Sequence, residues 1–207
     1  MESNAIRILE KVKKLYHRHG IKSVTMDDVA NHLGISKKTI YNYFKNKEDL
    51  VRQVLLLEQE QRSVILEGIL KKKLNSIEEL SEIYKMINEL FQEYNSSMEY
   101  DIRKYYPDIY TWVKEAKRKW MYEAMYNNMK RGKREGLYRK DLDTSIIARL
   151  QVAQTENLIN NDVFSMEELT SFKVLWEIFI FHLRGILNQK GMEFFITRLE
   201  MIKGDRK

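Results

Sequence analysis

Apolar side chains recur along this chain mostly at intervals of three and four, a pattern that predicts helices almost throughout. Ala5, Ile8, Leu9, Val12, Leu15 and Tyr16 mark a first amphipathic helix that runs to Gly20, a residue suited to the position just past a helix end. Thr25 is a good N-cap for a short second helix. Asp27 and Asp28 fall in its first turn, where carboxylates suit the positive helix end. Gly34 ends this helix after Leu33, and Ser36 caps a third, Lys37 to Phe44. Val29 and Leu33 give the second helix an inward face, and Ile35 and Ile40 plug its junction with the third. Ala30 is small where the two helices cross. Gly34 supplies the positive φ that a tight inter-helix turn needs.

Leu50, Val54, Leu57, Val64, Ile65 and Ile69 predict a long fourth helix reaching Leu70 or beyond. Ser76 caps a fifth, striped by Ile77, Leu80, Tyr84, Ile87, Phe91 and Tyr94, while the segment from Asn95 to Tyr106 gives no decisive helical signal. Pro107 suits the first turn of a further helix carrying Trp112, Ala116, Trp120, Ala124 and Met125 toward a stop at Gly136. Residues 139–143 form a connector, after which Asp143 or Thr144 caps a helix from Ile146 to Asn160. Ser165, with Glu168 at the capping-box offset, opens one long apolar helix through Leu187. Gly191 separates it from a last helix bearing Phe194, Phe195, Ile196 and Leu199. The expectation is an all-α protein of about nine helices: an N-terminal three-helix helix-turn-helix domain, residues 1–47, and a helical body, residues 48–207.

Composition agrees with long uninterrupted elements, because 8 Gly and 1 Pro leave little punctuation for a turn-rich β-fold. The absence of cysteine excludes disulfides, thiolate metal sites and Cys nucleophiles, and fits a reducing compartment. The polar start, Met1 to Asn4, has no apolar core of a secretory signal, and Val174 to Leu187 is too short and too interrupted to span a bilayer. Cytoplasm is the expected location. Of the net charge of +6, a surplus of four lies within residues 1–50, where ten basic side chains face six acidic ones. A basic end suggests a polyanionic partner there.

On the exposed face of the third helix stand Lys37, Lys38, Thr39, Asn42 and Tyr43, with Tyr41 nearby and no acidic side chain from Ser36 to Asn46. Phosphate binders, hydrogen-bonding groups and aromatic edges are what a recognition helix brings to a DNA major groove. The run Thr25-Met26-Asp27-Asp28-Val29-Ala30, followed by Leu33-Gly34-Ile35-Ser36-Lys37-Lys38-Thr39-Ile40-Tyr41-Asn42-Tyr43-Phe44-Lys45-Asn46-Lys47-Glu48-Asp49-Leu50, resembles the N-terminal signature of TetR-type transcriptional regulators. The resemblance covers residues 5–55 closely; the rest matches only in length, helicity and a few local features. It implies that Lys47 contacts a phosphate and that Thr25 and Met26 offer backbone or side-chain contacts. It further implies that Lys37, Thr39 and Asn42 face bases, while Lys38, Tyr41 and Tyr43 contact backbone or sugar.

In the body, a helix as apolar all round as the one carrying Phe172, Trp176, Ile178, Phe181, His182 and Gly185 must be covered on most sides. It is either central within its own domain or shared with a twin. A homodimer through these residues suits paired DNA half-sites, and the resemblance implies that the helix over 144–160 completes the bundle. Tyr84, Tyr94, Met98, Trp112, Trp120, Met121 and Met125 are side chains of the kind that line pockets for apolar or aromatic ligands, or simply fill a core. Gln154 and Asn157, at i, i+3, orient a ligand or bond across a dimer; the sequence leaves both open.

Catalytic chemistry finds little support. The four histidines, at 17, 19, 32 and 182, form no metal pair, and nucleophile-elbow, zinc-helix and phosphate-loop motifs are absent. Paired acids sit in first turns, where capping explains them. The expected function is a non-enzymatic, cofactor-free regulator: a dimeric repressor leaving a near-palindromic operator when a small apolar or aromatic effector fills the body. Two alternatives are a DNA-bound organiser that recruits protein without a ligand, and a helical binding protein with a vestigial DNA head.

Overall fold

The computed structural model describes residues 3–92, 95–159 and 163–203. Among these residues the chain forms eleven helices: α1 Ser3–His19, α2 Met26–Leu33, α3 Lys37–Tyr41, α4 Lys47–Lys71, α5 Ser76–Gln92, α6 Ser96–Tyr105, α7 Pro107–Arg134, α8 Thr144–Ile159, α9 Met166–Thr170, α10 Phe172–Ile186 and α11 Gln189–Lys203. No strand forms among them beyond a single antiparallel bridge between Tyr138 and Leu187. The all-α expectation is met. Of the two helices beyond the expected nine, one is the undecided segment 95–106 and the other comes from a break at Ser171.

The helices group into two compact units. Unit 1 holds the chain up to Val64 together with Asn95–Ala116, and unit 2 holds Ile65–Tyr94 and the chain from Lys117 on. The core of unit 1 grows from the α1 stripe, where Leu9, Val12 and Tyr16 are fully buried, and from Val29, Ile40, Phe44, Leu50 and Val54. Each such side chain contributes about 1.5–3 kcal/mol by leaving water. The undecided segment 95–106 proves helical because Asn95 caps it, its Oδ1 accepting the Met98 amide at 3.0 Å while its Nδ2 donates to the His17 carbonyl. Through Met98, Ile102 and Ile109, α6 and the start of α7 enter the same core.

A polar seam also fastens α1 to α4. His17 Nε2 lies 2.7 Å from the buried Glu58 carboxylate, Arg62 approaches the other Glu58 oxygen at 3.4 Å, and Lys13 donates to Gln61 at 2.9 Å. Burial alone pushes the Glu58 carboxyl up, but the His17 hydrogen bond and the charges of Arg62, His17 and Lys13 hold it below its ordinary range.

In unit 2, α5 is capped by Asn75 rather than Ser76: the Asn75 Oδ1 accepts the amides of Ile77 and Glu78 at 3.0 Å each. Asp143 caps α8, accepting the Ile146 amide at 2.8 Å. The capping box of Ser165 and Glu168 forms as expected, yet the long helix from it to Leu187 does not. Ser171 is extended, at φ −73 and ψ 141, and divides it into α9 and α10. The hydroxyls of Thr170 and Ser171 bond the carbonyls of Glu167 and Glu168, competing with continuation of the helix.

The next break falls at Leu187–Asn188, and Gly191 lies inside the first turn of α11, where Asn188 Oδ1 accepts its amide at 2.9 Å. Gly191 is there for packing. A Cβ at that position would sit 2.1 Å from the Leu137 carbonyl oxygen.

A buried polar network joins the start of α5 to the end of α7 and the residues after it. The single proton of the Tyr138 hydroxyl is shared between the Ser76 carbonyl at 3.0 Å and Asn128 Oδ1 at 2.9 Å, and Asn128 Nδ2 donates to both Ser76 O and Glu79 at 2.9 Å. Arg131 then meets Glu79 at 2.6 Å. Full satisfaction of the Asn128 amide and the Tyr138 hydroxyl gives unit 2 a fixed register between α5 and α7.

Candidate functional site

The first candidate site lies in unit 1. Thr25 accepts the Asp28 amide at 3.1 Å and Asp28 accepts the Thr25 amide at 2.8 Å, a reciprocal cap that starts α2. Two hydrogen bonds from Thr25 hold the Asp28 carboxyl below its ordinary value. Gly34 ends α2 at φ 66, and Ser36 starts α3 by accepting the Thr39 amide at 3.0 Å. Val29, Ala30 and Ile40 are buried at the crossing. The geometry is a helix-turn-helix, with α3 one residue past a single helical turn and its outer face turned to solvent.

On that face Lys37, Lys38 and Asn42 are exposed, and the Tyr41 ring is 44% exposed. Lys37 is held by Asp27 of α2, Nζ to Oδ2 2.9 Å, an interaction that favours its charged form. Thr39 is half-buried with its hydroxyl 2.8 Å from that of Ser36. Tyr43 packs partly against the core, 6.3 Å from the Phe44 ring. The Met26 side chain is buried and is not part of this open face. Lys47, half-buried at the start of α4, donates to the Lys22 carbonyl at 3.3 Å. Its pKa is lowered by burial first and by the Lys22 charge second, with Asp101 and Asp28 opposing.

The second candidate site is a cavity of about 90 Å³ in unit 2. Helix α5 contributes Leu80, Ile83, Tyr84, Ile87 and Phe91; α7 contributes Trp120, Met121, Ala124 and Met125. Helix α8 adds Gln151, Val152, Thr155 and Leu158, and α10 adds Leu175, Ile178, Phe179 and His182. The Tyr84 ring stacks on Phe179 at 4.4 Å, and Phe172 stacks on Trp176 at 5.5 Å beside them. No Asp, Glu, Lys or Arg lines this cavity among the described residues. Burial pushes the His182 imidazole down to about 4, so it is neutral at neutral pH.

Residues 8–54 match the family model described as bacterial regulatory proteins, tetR family. That match covers the N-terminal helices and less than a quarter of the chain. A curated relative, the HTH-type transcriptional regulator YhgD of Bacillus subtilis, is 42% identical over 59 residues, covering 27% of this chain and 31% of that protein. The match thus spans less than a third of the relatives' length. Among solved structures, a transcriptional regulator from Cytophaga hutchinsonii is similar with a TM-score of 0.76 and 19% identity, over 90% of this chain and 100% of that one. The fatty acid degradation regulator FadR from Bacillus halodurans is similar with a TM-score of 0.66 and 14% identity, over 88% and 96%. At such identities the likeness concerns the fold.

Within this fold the residues singled out from sequence are distributed unevenly. Tyr84, Trp120, Met121 and Met125 meet at the cavity. Met98 instead fills the core of unit 1, Trp112 belongs to that unit as well, and Tyr94 lies outside the described residues. Gln154 and Asn157 do not line the cavity; Gln151 and Thr155 do. Helix α8 carries apolar residues on every face, so its phase cannot be read from the sequence. With Ala148 and Leu158 buried and Leu150 61% exposed, the inward face passes through Gln151 and Thr155. Of the residues singled out on α10, Ile178 and His182 line the cavity, Phe172 and Trp176 pack against Tyr84, and Phe181 and Gly185 are exposed. Sequence reasoning also missed Asp27 as the partner of Lys37, since a carboxylate in a first turn reads equally well as a capping charge.

Proposed function

We propose that the protein is a DNA-binding transcriptional regulator, acting as a homodimer, whose residues 1–47 bind a near-palindromic operator and whose residues 48–207 bind a small, mostly apolar effector and dimerise. The observation that carries this reading is the capped α2–Gly34–α3 turn, with Lys37, Lys38, Tyr41 and Asn42 on an open face and Lys47 at the head of α4. Its chemistry suits a duplex: lysines for phosphates, amide and hydroxyl groups for base edges, and an aromatic ring for sugar or thymine methyl contact.

Support for self-association comes from the large apolar residues that α8 and α10 leave in solvent. Ile146 and Leu150 are 54% and 61% exposed on one side of α8, and Phe181 of α10 is 77% exposed. Burying them against a second copy offsets the cost of leaving them wet and sets two recognition helices at a fixed spacing, the geometry that palindromic half-sites require. The cavity supports a small-molecule effector over a purely protein-recruiting role. DNA and effector then oppose each other through a coupling energy of about 1–3 kcal/mol, with α4 and α7, which contribute residues to both units, as the carriers. This is a non-enzymatic role in the cytoplasm.

The test is a gel-shift selection on random duplexes with the full chain at several salt concentrations. The expected result is a recovered inverted repeat whose binding weakens steeply with salt. Binding that ignores sequence and is indifferent to salt overturns the proposal.

A further inference from the structure

Two atoms stand out in the apolar cavity of unit 2. Gln151 Oε1 on α8 and His182 Nε2 on α10 are both buried, and neither has a hydrogen-bond partner among the described residues. Thr155, the other polar residue that α8 brings to the cavity, already donates to the Gln151 carbonyl at 2.9 Å. A buried polar atom without a partner is destabilising, so two of them around one cavity mark where a ligand's polar group belongs.

The chemistry of that group follows from the two atoms. Neutral imidazole presents either a donor or an acceptor at Nε2, according to its tautomer, and a carboxamide can turn to present either end. A hydroxyl both donates and accepts, and therefore completes either arrangement. A carboxylate only accepts, and would bring an unpaired charge into a lining without Lys or Arg. The remaining surface is aromatic and aliphatic. At about 90 Å³ the cavity is smaller than the cavity of about 150 Å³ known to admit benzene. A ring therefore enters with some displacement of Met121 and Met125, the most adaptable side chains of the lining.

We infer that the effector is an uncharged, ring-containing molecule bearing one or more hydroxyl groups, seated on Gln151 and His182. This rests on the proposed effector role of the cavity and goes further by naming the ligand class. It also gives the ligand a structural task, since its polar group contacts both α8 and α10, the helices assigned above to dimerisation.

Calorimetric titration of the full-length protein with three probes of similar shape tests the inference: p-cresol, p-xylene and p-toluate. The expected order is p-cresol at least roughly tenfold tighter than p-xylene, with p-toluate weakest, because only the phenol completes the buried partners. In Gln151→Leu and His182→Leu the p-cresol advantage is expected to fall below about threefold while p-xylene binding persists. Equal binding of p-cresol and p-xylene, or preference for p-toluate, overturns the hydroxyl assignment and leaves the effector cavity standing. A full preference retained in both variants removes Gln151 and His182 from it. Failure of all three probes to bind overturns the cavity as an effector site along with the inference. Should a variant fail to fold, judged by circular dichroism, the wild-type series decides alone.

Discussion

Lys37 Nζ stands 2.9 Å from Asp27 Oδ2, so the leading basic side chain of α3 is engaged by a carboxylate of α2 in the free protein. A phosphate or guanine approaching Lys37 must compete with that carboxylate, and the carboxylate itself repels the DNA backbone. Asp27→Asn is therefore expected to tighten binding to random duplex by about three- to tenfold while reducing discrimination between operator and random sequence. Fluorescence anisotropy on both duplexes checks this; unchanged affinity for random DNA removes Asp27 from the balance.

Lys47 is half-buried and tied to the Lys22 carbonyl. Lys47→Ala is expected to weaken all duplexes roughly equally, by about five- to tenfold, and to shallow the salt dependence by about one counterion. A loss confined to the operator, with the salt slope intact, assigns Lys47 to base reading instead.

Phe181 is 77% exposed, and its replacement costs the folded subunit little. Phe181→Glu is expected to yield a folded monomer by light scattering, with operator affinity reduced by two orders of magnitude or about that, because the second half-site contact is lost. A dimer that survives the substitution places the interface elsewhere.

His182 links stability to pH. Its imidazole titrates near 4 in the folded protein and near 6.5 when unfolded. Between those values the unfolded chain binds the extra proton, so stability is lost as pH falls from about 6.5 toward 4, by a few kcal/mol in all. Urea unfolding at pH 7 and pH 5 reads the loss, and His182→Gln is expected to flatten the difference. An identical pH dependence in the variant assigns it to other groups.

Gly191→Ala presses a methyl group against the Leu137 carbonyl, a contact of 2.1 Å that only backbone movement relieves. A destabilisation of roughly 2–4 kcal/mol is expected from urea unfolding. Gly34→Ala is a useful contrast: nothing among the described residues lies within 4 Å of its Cβ position, and its cost comes from the positive φ.

The helix-turn-helix was legible because every signal in it is local. Thr25 with Asp28, Gly34, and Ser36 each act within four residues of themselves, so spacing alone locates them. The break at Ser171 was not, since no Gly or Pro marks it and the competing bonds run from the Thr170 and Ser171 hydroxyls to backbone carbonyls; the helix end at Leu187 was placed to within a residue. The cavity was half legible. Aromatic and methionine residues of α5 and α7 were recognisable as pocket-forming types, whereas Gln151 and His182 depend on the rotational phase of α8 and α10. Where a helix is apolar on all sides, that phase is set by tertiary packing. Asn95 illustrates the same limit from the other direction, because its anchoring bond is to a carbonyl 78 residues away.

The network around Tyr138 has a kinetic meaning. The amides of Arg139 and Asn188 bond across the only bridge among the described residues, at 2.9 and 3.1 Å, directly behind the sealed phenol. Reaching them with solvent means parting Tyr138 from Ser76 and Asn128 and drawing α11 off its glycine contact in the same event. Deuterium should enter these two positions last of all in the body, making them an internal clock for its complete opening.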